Sequence, residues 1–190
     1  MFLGEETCEF IKGEVAHYMD FHKVCYPISG DFFAACLGIK TIPYSKLSQS
    51  GRAMALYTSE DGFLFESRLK LYFNDNSLPE RIEMTKLHEI GHYLLDHNST
   101  PNKSEDEKEK EARFFAKYVM APPPLIHQLE DISEESIRRE FGLSFEASHY
   151  ALEYYYKWKR KFNGIYKDYE IKLLRCWLRT PAHKLKKEAA

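Results

Sequence analysis

Apolar residues along the chain recur in helical and alternating patterns that divide it into elements. Ile11, Val15, Tyr18, His22 and Cys25 or Tyr26 return every three or four positions, which predicts an amphipathic first helix over 5–26, ended by Pro27. A short helix is expected over 31–37, stopped by Gly38, and the run 39–44 reads as extended, with Pro43 making it an edge or irregular strand. Residues 46–57 read as helical. The aromatic-rich runs Gly62-Phe63-Leu64-Phe65-Glu66 and Lys70-Leu71-Tyr72-Phe73-Asn74 are separated only by Ser67, Arg68 and Leu69, which predicts a small antiparallel hairpin.

Two stronger helical patterns follow. In the first, Met84, Leu87, Gly91, Leu94 and Leu95 fall within one arc of about 100°. Asn76 or Ser77 is available as its cap, Pro79, Glu80 and Glu83 suit its first turns, and Asp96-His97-Asn98 closes it. The second begins in the acidic run Ser104-Glu105-Asp106-Glu107, carries the stripe Ala112, Phe115, Ala116 and Val119, and ends at Met120. Between them, 97–104 is a polar connection bordering any chemistry on either helix. Pro122-Pro123-Pro124 then forces an extended bend, which sets the expected boundary between a core of residues 1–124 and a helical region of residues 125–190 packed on it.

The C-terminal region reads as helix, tight turn, helix: Ser133 to Phe141, Gly142-Leu143-Ser144, and Phe145 to Lys159, with Ser133 and Ser144 as caps. A final helix is expected over 166–178, with fraying after Pro181. A DNA-reading role for the turn is disfavoured. Glu146, Ser148, His149 and Glu153 would face a groove, where two carboxylates repel phosphate and no side chain offers a bidentate arginine contact.

The segment His88-Glu89-Ile90-Gly91-His92 lies on the first of the two strong helices. At about 100° per residue, His88 and His92 stand one turn apart on one face and can share a tetrahedral metal. Glu89 lies on the same side, about 60° beyond His92, where it can take a proton from a metal-bound water without itself being a ligand. A hydrolytic site of this kind needs a third protein ligand, and the acidic helix downstream is where it is expected. Glu111 flanks the apolar stripe, Glu107 lies one turn earlier on nearly the same side, and Glu109 points elsewhere. Glu111 and Glu107 are therefore the candidates, with Glu111 favoured by its place beside the stripe.

Read together, His88-Glu89-Ile90-Gly91-His92-Tyr93-Leu94-Leu95 and Glu111-Ala112-Arg113-Phe114-Phe115-Ala116-Lys117-Tyr118-Val119-Met120-Ala121-Pro122 resemble two blocks of the ImmA/IrrE family of metallopeptidases. The similarity extends from about Ile39 through Trp158, with Arg113 in place of the usual Asn. The resemblance implies an α+β zincin-like fold with a small antiparallel sheet and an active-site helix. It implies Zn2+ as cofactor, His88, His92 and Glu111 as its ligands, and Glu89 as the catalytic carboxylate. It also implies a protein substrate, a helix-turn-helix transcriptional repressor of a phage or mobile element. A module that keeps the zinc fold but inactivates its repressor by contact alone is the alternative, ahead of a DNA-binding regulator.

At 190 residues, with 44% hydrophobic and 15% aromatic residues, the chain can bury a substantial core. Its formal charge of -2 gives no general attraction to nucleic acid, although 175–187 is locally basic and is expected to be solvated. Cys8, Cys25, Cys36 and Cys176 show no CxxC spacing and read as free thiols in a reducing compartment. No apolar run reaches membrane length and no secretory signal opens the chain, so the cytoplasm is expected. Tyr93, His97, Tyr118 and His127 are candidates to stabilise an oxyanion, with Tyr118 preferred for lying seven residues after Glu111.

Overall fold

The computed structural model describes residues 3–180. In chain order its elements are α1 (Glu5–Phe21), α2 (Gly30–Cys36), β1 (Lys40–Pro43), α3 (Gln49–Thr58), β2 (Gly62–Phe65), β3 (Lys70–Phe73), α4 (Pro79–Leu94), α5 (Glu105–Met120), α6 (Pro123–Ile126), α7 (Glu134–Phe141), α8 (Phe145–Lys161) and α9 (Asp168–Arg179). The fold is α+β, and the chain divides into two compact units: Met1–Gly4 with Ser29–Ala116, and Glu5–Ile28 with Lys117–Ala190. The boundary expected at 124/125 thus falls within the second unit, and the first helix belongs with the C-terminal helices. Among the described residues no helix is long and apolar enough to cross a membrane.

The first unit is built on the hairpin read from the sequence. β2 and β3 pair antiparallel, with Leu64 opposite Leu71, but β1 adds to the free side of β3 in parallel, so the sheet is mixed, in the order β1-β3-β2. A parallel neighbour requires a long crossover, which here carries α3 and β2. Pro43 ends an edge strand, where a missing N–H costs little. Leu71 on the central strand is fully buried, as are Phe33 of α2, Leu87 and Ile90 of α4, and Ala112, Phe115 and Ala116 of α5.

Helix α4 is fixed at its start by charge rather than by a side-chain cap. The helix starts at Pro79, so the N-cap position falls on Leu78, which has no polar side chain to bond with, and neither Asn76 nor Ser77, the expected caps, occupies it. Arg81 instead makes a bidentate pair with Asp61 (2.6 and 2.8 Å), tying the first turns of α4 to the approach of β2. One turn on, Glu83 accepts from the Gly30 amide at 2.6 Å, and buried Lys86 reaches Asp31 at 2.8 Å and Glu83 at 3.1 Å. These bonds hold the N-terminus of α2 against α4. Helix α5 starts in a capping box: Ser104 Oγ accepts from the Glu107 amide (3.3 Å) while Glu107 Oε2 accepts from the Ser104 amide (2.9 Å).

Helices α4 and α5 meet at Gly91. A Cβ at this position would lie 3.0 and 3.2 Å from ring carbons of Phe115 and 3.3 Å from the Cα of Ala112. The absence of a side chain therefore sets how closely the two helices approach.

In the second unit α1 packs on α9, with Ile11, Val15 and Met19 of α1 and Leu173 and Cys176 of α9 all fully buried. Helix α1 ends at Phe21, short of the expected 26, because Lys23 turns the chain in the left-handed region (φ 56). Tyr26 then packs against Phe141 and Trp177, with ring centroids 6.0 and 6.1 Å away, and its hydroxyl donates to the Val119 carbonyl at 2.9 Å. Helices α7 and α8 form the expected hairpin, with Gly142 at φ 65 and with Ser133 and Ser144 capping. Two of its groove-facing candidates are committed internally: Ser148 is buried and donates to the Phe145 carbonyl (2.8 Å), and His149 pairs with Glu134 (2.7 Å). The expected fraying and the basic tail beyond 180 lie outside the described residues.

Gly91→Ala is expected to destabilise the protein by about 1–3 kcal/mol, because the added methyl meets a ring with no room to move. Ser104→Ala should cost about 1 kcal/mol through the lost cap. Urea unfolding of each variant beside the wild type measures both.

Candidate metal centre

Helix α4 carries His88 and His92 one turn apart, with ring centroids 4.7 Å apart and planes at 80°. Their Nε2 atoms lie 3.1 Å from each other. Glu109 of α5 stands against both, with Oε2 3.3 Å from His88 Nε2 and Oε1 3.2 Å from His92 Nε2. The three groups form a cluster able to hold a metal ion.

Burial pushes the His88 imidazole below its ordinary pKa, and burial with the nearby His88 pushes His92 down to about 4. At neutral pH the two rings are uncharged, so the short contacts to Glu109 are not ion pairs. Neutral imidazoles and a carboxylate are the protonation states that a divalent cation requires. The spacing fits as well: donors on a tetrahedral zinc with bonds of about 2 Å stand about 3.3 Å from one another. His88 and His92 keep side-chain exposures of 19% and 20%, and Glu109 keeps 49%, so one side of the cluster faces solvent. Three protein donors with an open side match a catalytic site rather than a closed structural one.

Glu89, next to His88, is held from the sheet. Its Oε2 accepts from the Leu64 amide of β2 at 2.9 Å. Burial pushes the Glu89 carboxyl up to about 7, and the negative charges of Glu109 and Glu66 add to the push against the Leu64 amide. The group is thus poised to exchange a proton near neutral pH.

The carboxylate beside the two histidines is Glu109, which the spacing had pointed elsewhere. The reason lies in the shape of the α5 stripe. Glu111 flanks it on the side of Phe115, four residues on, whereas Glu109 flanks the other side, three residues before Ala112 and seven before Ala116. The stripe has two edges, and the sequence does not say which of them faces α4. Glu111 is instead buried with His97, 3.0 Å from its Nε2, and with Lys103, 2.7 Å away. Glu107 is spent on the capping box.

Among the oxyanion candidates, His97 is buried and bonded to His92 and Glu111, so neither ring nitrogen is free to meet a substrate. Tyr118 is buried at 3% exposure, and His127 is bonded to the Tyr155 hydroxyl at 3.0 Å and to Lys159 at 3.3 Å. Tyr93 is half-buried on α4, one position past His92.

A family model described as the IrrE N-terminal-like domain, Peptidase_M78, matches residues 34–153. Among curated proteins no relative matches the chain. The matched segment runs from α2 into α8 and takes in both helices of the centre and the strand that holds Glu89. With well over half of its length inside that match, the chain belongs to the Peptidase_M78 family of metallopeptidases.

Proposed function

We propose that this metallopeptidase is a zinc-dependent endopeptidase of the cytoplasm that hydrolyses a peptide bond in a regulatory protein, a helix-turn-helix repressor of a phage or mobile element. In this reading His88, His92 and Glu109 are the ligands and Glu89 is the general base. The observation that carries it is the convergence of two uncharged imidazole nitrogens and a carboxylate within 3.3 Å of one another. Donor atoms at this spacing can all reach one divalent cation placed among them. Family membership supports a protein substrate, and the repressor follows from what the resemblance implies.

Zinc held by these residues supplies Lewis acidity to the scissile carbonyl and makes water acidic enough to lose a proton near neutral pH. Glu89 does the proton work. The Leu64 amide fixes Oε2, and Oε1 takes the proton from the attacking water and returns it to the leaving nitrogen, a role worth about 10²–10⁴ in rate. β2 lies at the edge of the sheet, where an extended substrate segment can add as a further strand and be read through its backbone.

The zinc-loaded protein, incubated with the repressor encoded beside its gene, is expected to yield two fragments by mass spectrometry. Glu89→Gln should retain zinc and cut at least about 10²-fold more slowly. A repressor left whole but released from DNA by both proteins points to inactivation by contact, and DNA affinity that survives zinc removal points to a DNA-binding regulator. Metal analysis separates the two carboxylates: Glu109→Ala is expected to lower zinc occupancy more than Glu111→Ala, with Glu107→Ala unchanged. The reverse order of the first two returns Glu111 to the ligand set.

A further inference from the structure

Behind the cluster, four side chains form a single file of hydrogen bonds. Lys103 Nζ donates to both oxygens of Glu111 (2.8 and 2.7 Å), Glu111 Oε2 lies 3.0 Å from His97 Nε2, and His97 Nδ1 lies 2.9 Å from His92 Nδ1. The inner members are sequestered, with side-chain exposures of 3% for His97 and 6% for Glu111, while Lys103 at 39% closes the file toward solvent. A carboxylate this deep needs a counter-charge, and Lys103 provides it from the end of the connection between α4 and α5.

With one proton on each ring, the carboxylate at the far end sets the direction of every bond in the file. A carboxylate only accepts, so the proton between Glu111 and His97 sits on His97 Nε2. A neutral ring with that proton has its lone pair on Nδ1, so the proton of the next bond sits on His92 Nδ1. His92 then turns an unprotonated Nε2 toward His88 and Glu109. Free histidine in water favours the opposite tautomer, with the proton on Nε2, which would block that corner.

We propose that Lys103, Glu111 and His97 are positioning residues that hold His92 as its Nδ1–H tautomer and so set its Nε2 as a metal ligand before any ion arrives. The role rests on the zinc reading given above. It also accounts for Glu111 as a residue that serves the centre through another side chain.

The test uses the full chain and reads the tautomer directly. Long-range proton–nitrogen correlation NMR of the metal-free wild type is expected to show His92 protonated on Nδ1. Glu111→Gln keeps the shape of the side chain but adds a donor, so with Lys103 on its carbonyl its amide can donate to His97 and reverse the whole file. That variant should shift His92 toward the Nε2–H form and, in competition with a chelator, bind zinc about 10–100-fold more weakly. Lys103→Met, at a more exposed position, should move both readouts in the same direction by less. Wild-type zinc binding with His92 protonated on Nε2, or Glu111→Gln indistinguishable from wild type in both readouts, overturns the positioning role alone. Weaker zinc binding by Glu111→Gln with an unchanged metal-free tautomer also overturns it and makes Glu111 a direct ligand. A wild-type protein that takes up no zinc overturns the zinc reading and, with it, this one.

Discussion

Helices α4 and α5 touch where Gly91 lies against the ring of Phe115 and the backbone of Ala112, and the geometry of the centre descends from that contact. His92 is the next residue along α4, and Glu109 is less than one turn before Ala112 on α5. The contact that lets the apolar surfaces close therefore also brings the carboxylate to the two imidazoles. Burial of Leu87, Ile90 and Phe115, at about 1.5–3 kcal/mol each, supplies the force that keeps the helices together. The polar groups of the centre cost desolvation energy, and they are held near one another by packing that has no polar component.

What was legible in the sequence depended on how local the determining geometry was. His88, Glu89 and His92 lie on one helix, so the turn per residue fixes their mutual placement, and the caps and the turn at Ser133, Gly142 and Ser144 are equally local. The hairpin of β2 and β3 was legible because only Ser67 to Leu69 separate the strands. The carboxylate that stands beside the two histidines was not: the spacing offers Glu111 and Glu107, whereas Glu109, which the structure places there, lies on the other edge of the α5 stripe, and only the packing tells which edge faces α4. The parallel pairing of β1 and the packing of α1 on α9 join segments far apart in the chain, where periodicity carries no signal. The side-chain cap on α4 failed for a smaller reason, since the cap position falls one or two residues later than expected, on apolar Leu78.

The acidic run that opens α5 looks uniform in sequence, yet its members serve different ends. Glu105 pairs with Lys108 at 2.8 Å and Asp106 pairs with Lys110, both at the surface, where such pairs contribute little stability. Glu107 caps the helix, Glu109 faces the histidines and Glu111 is buried behind them. A general expectation of solvated charge holds for the first two and fails for the rest, because the helix rotates each carboxylate into a different environment.

The tie between Glu89 and β2 has a consequence for how the site tolerates sequence change. Its donor is a main-chain amide, present whatever amino acid occupies position 64, and only proline would abolish it. Drift along this strand can therefore remodel the surface beside the base while leaving the base itself aligned. The file from Lys103 to His92 has no such insurance, since each of its links is a side chain that one codon change can delete.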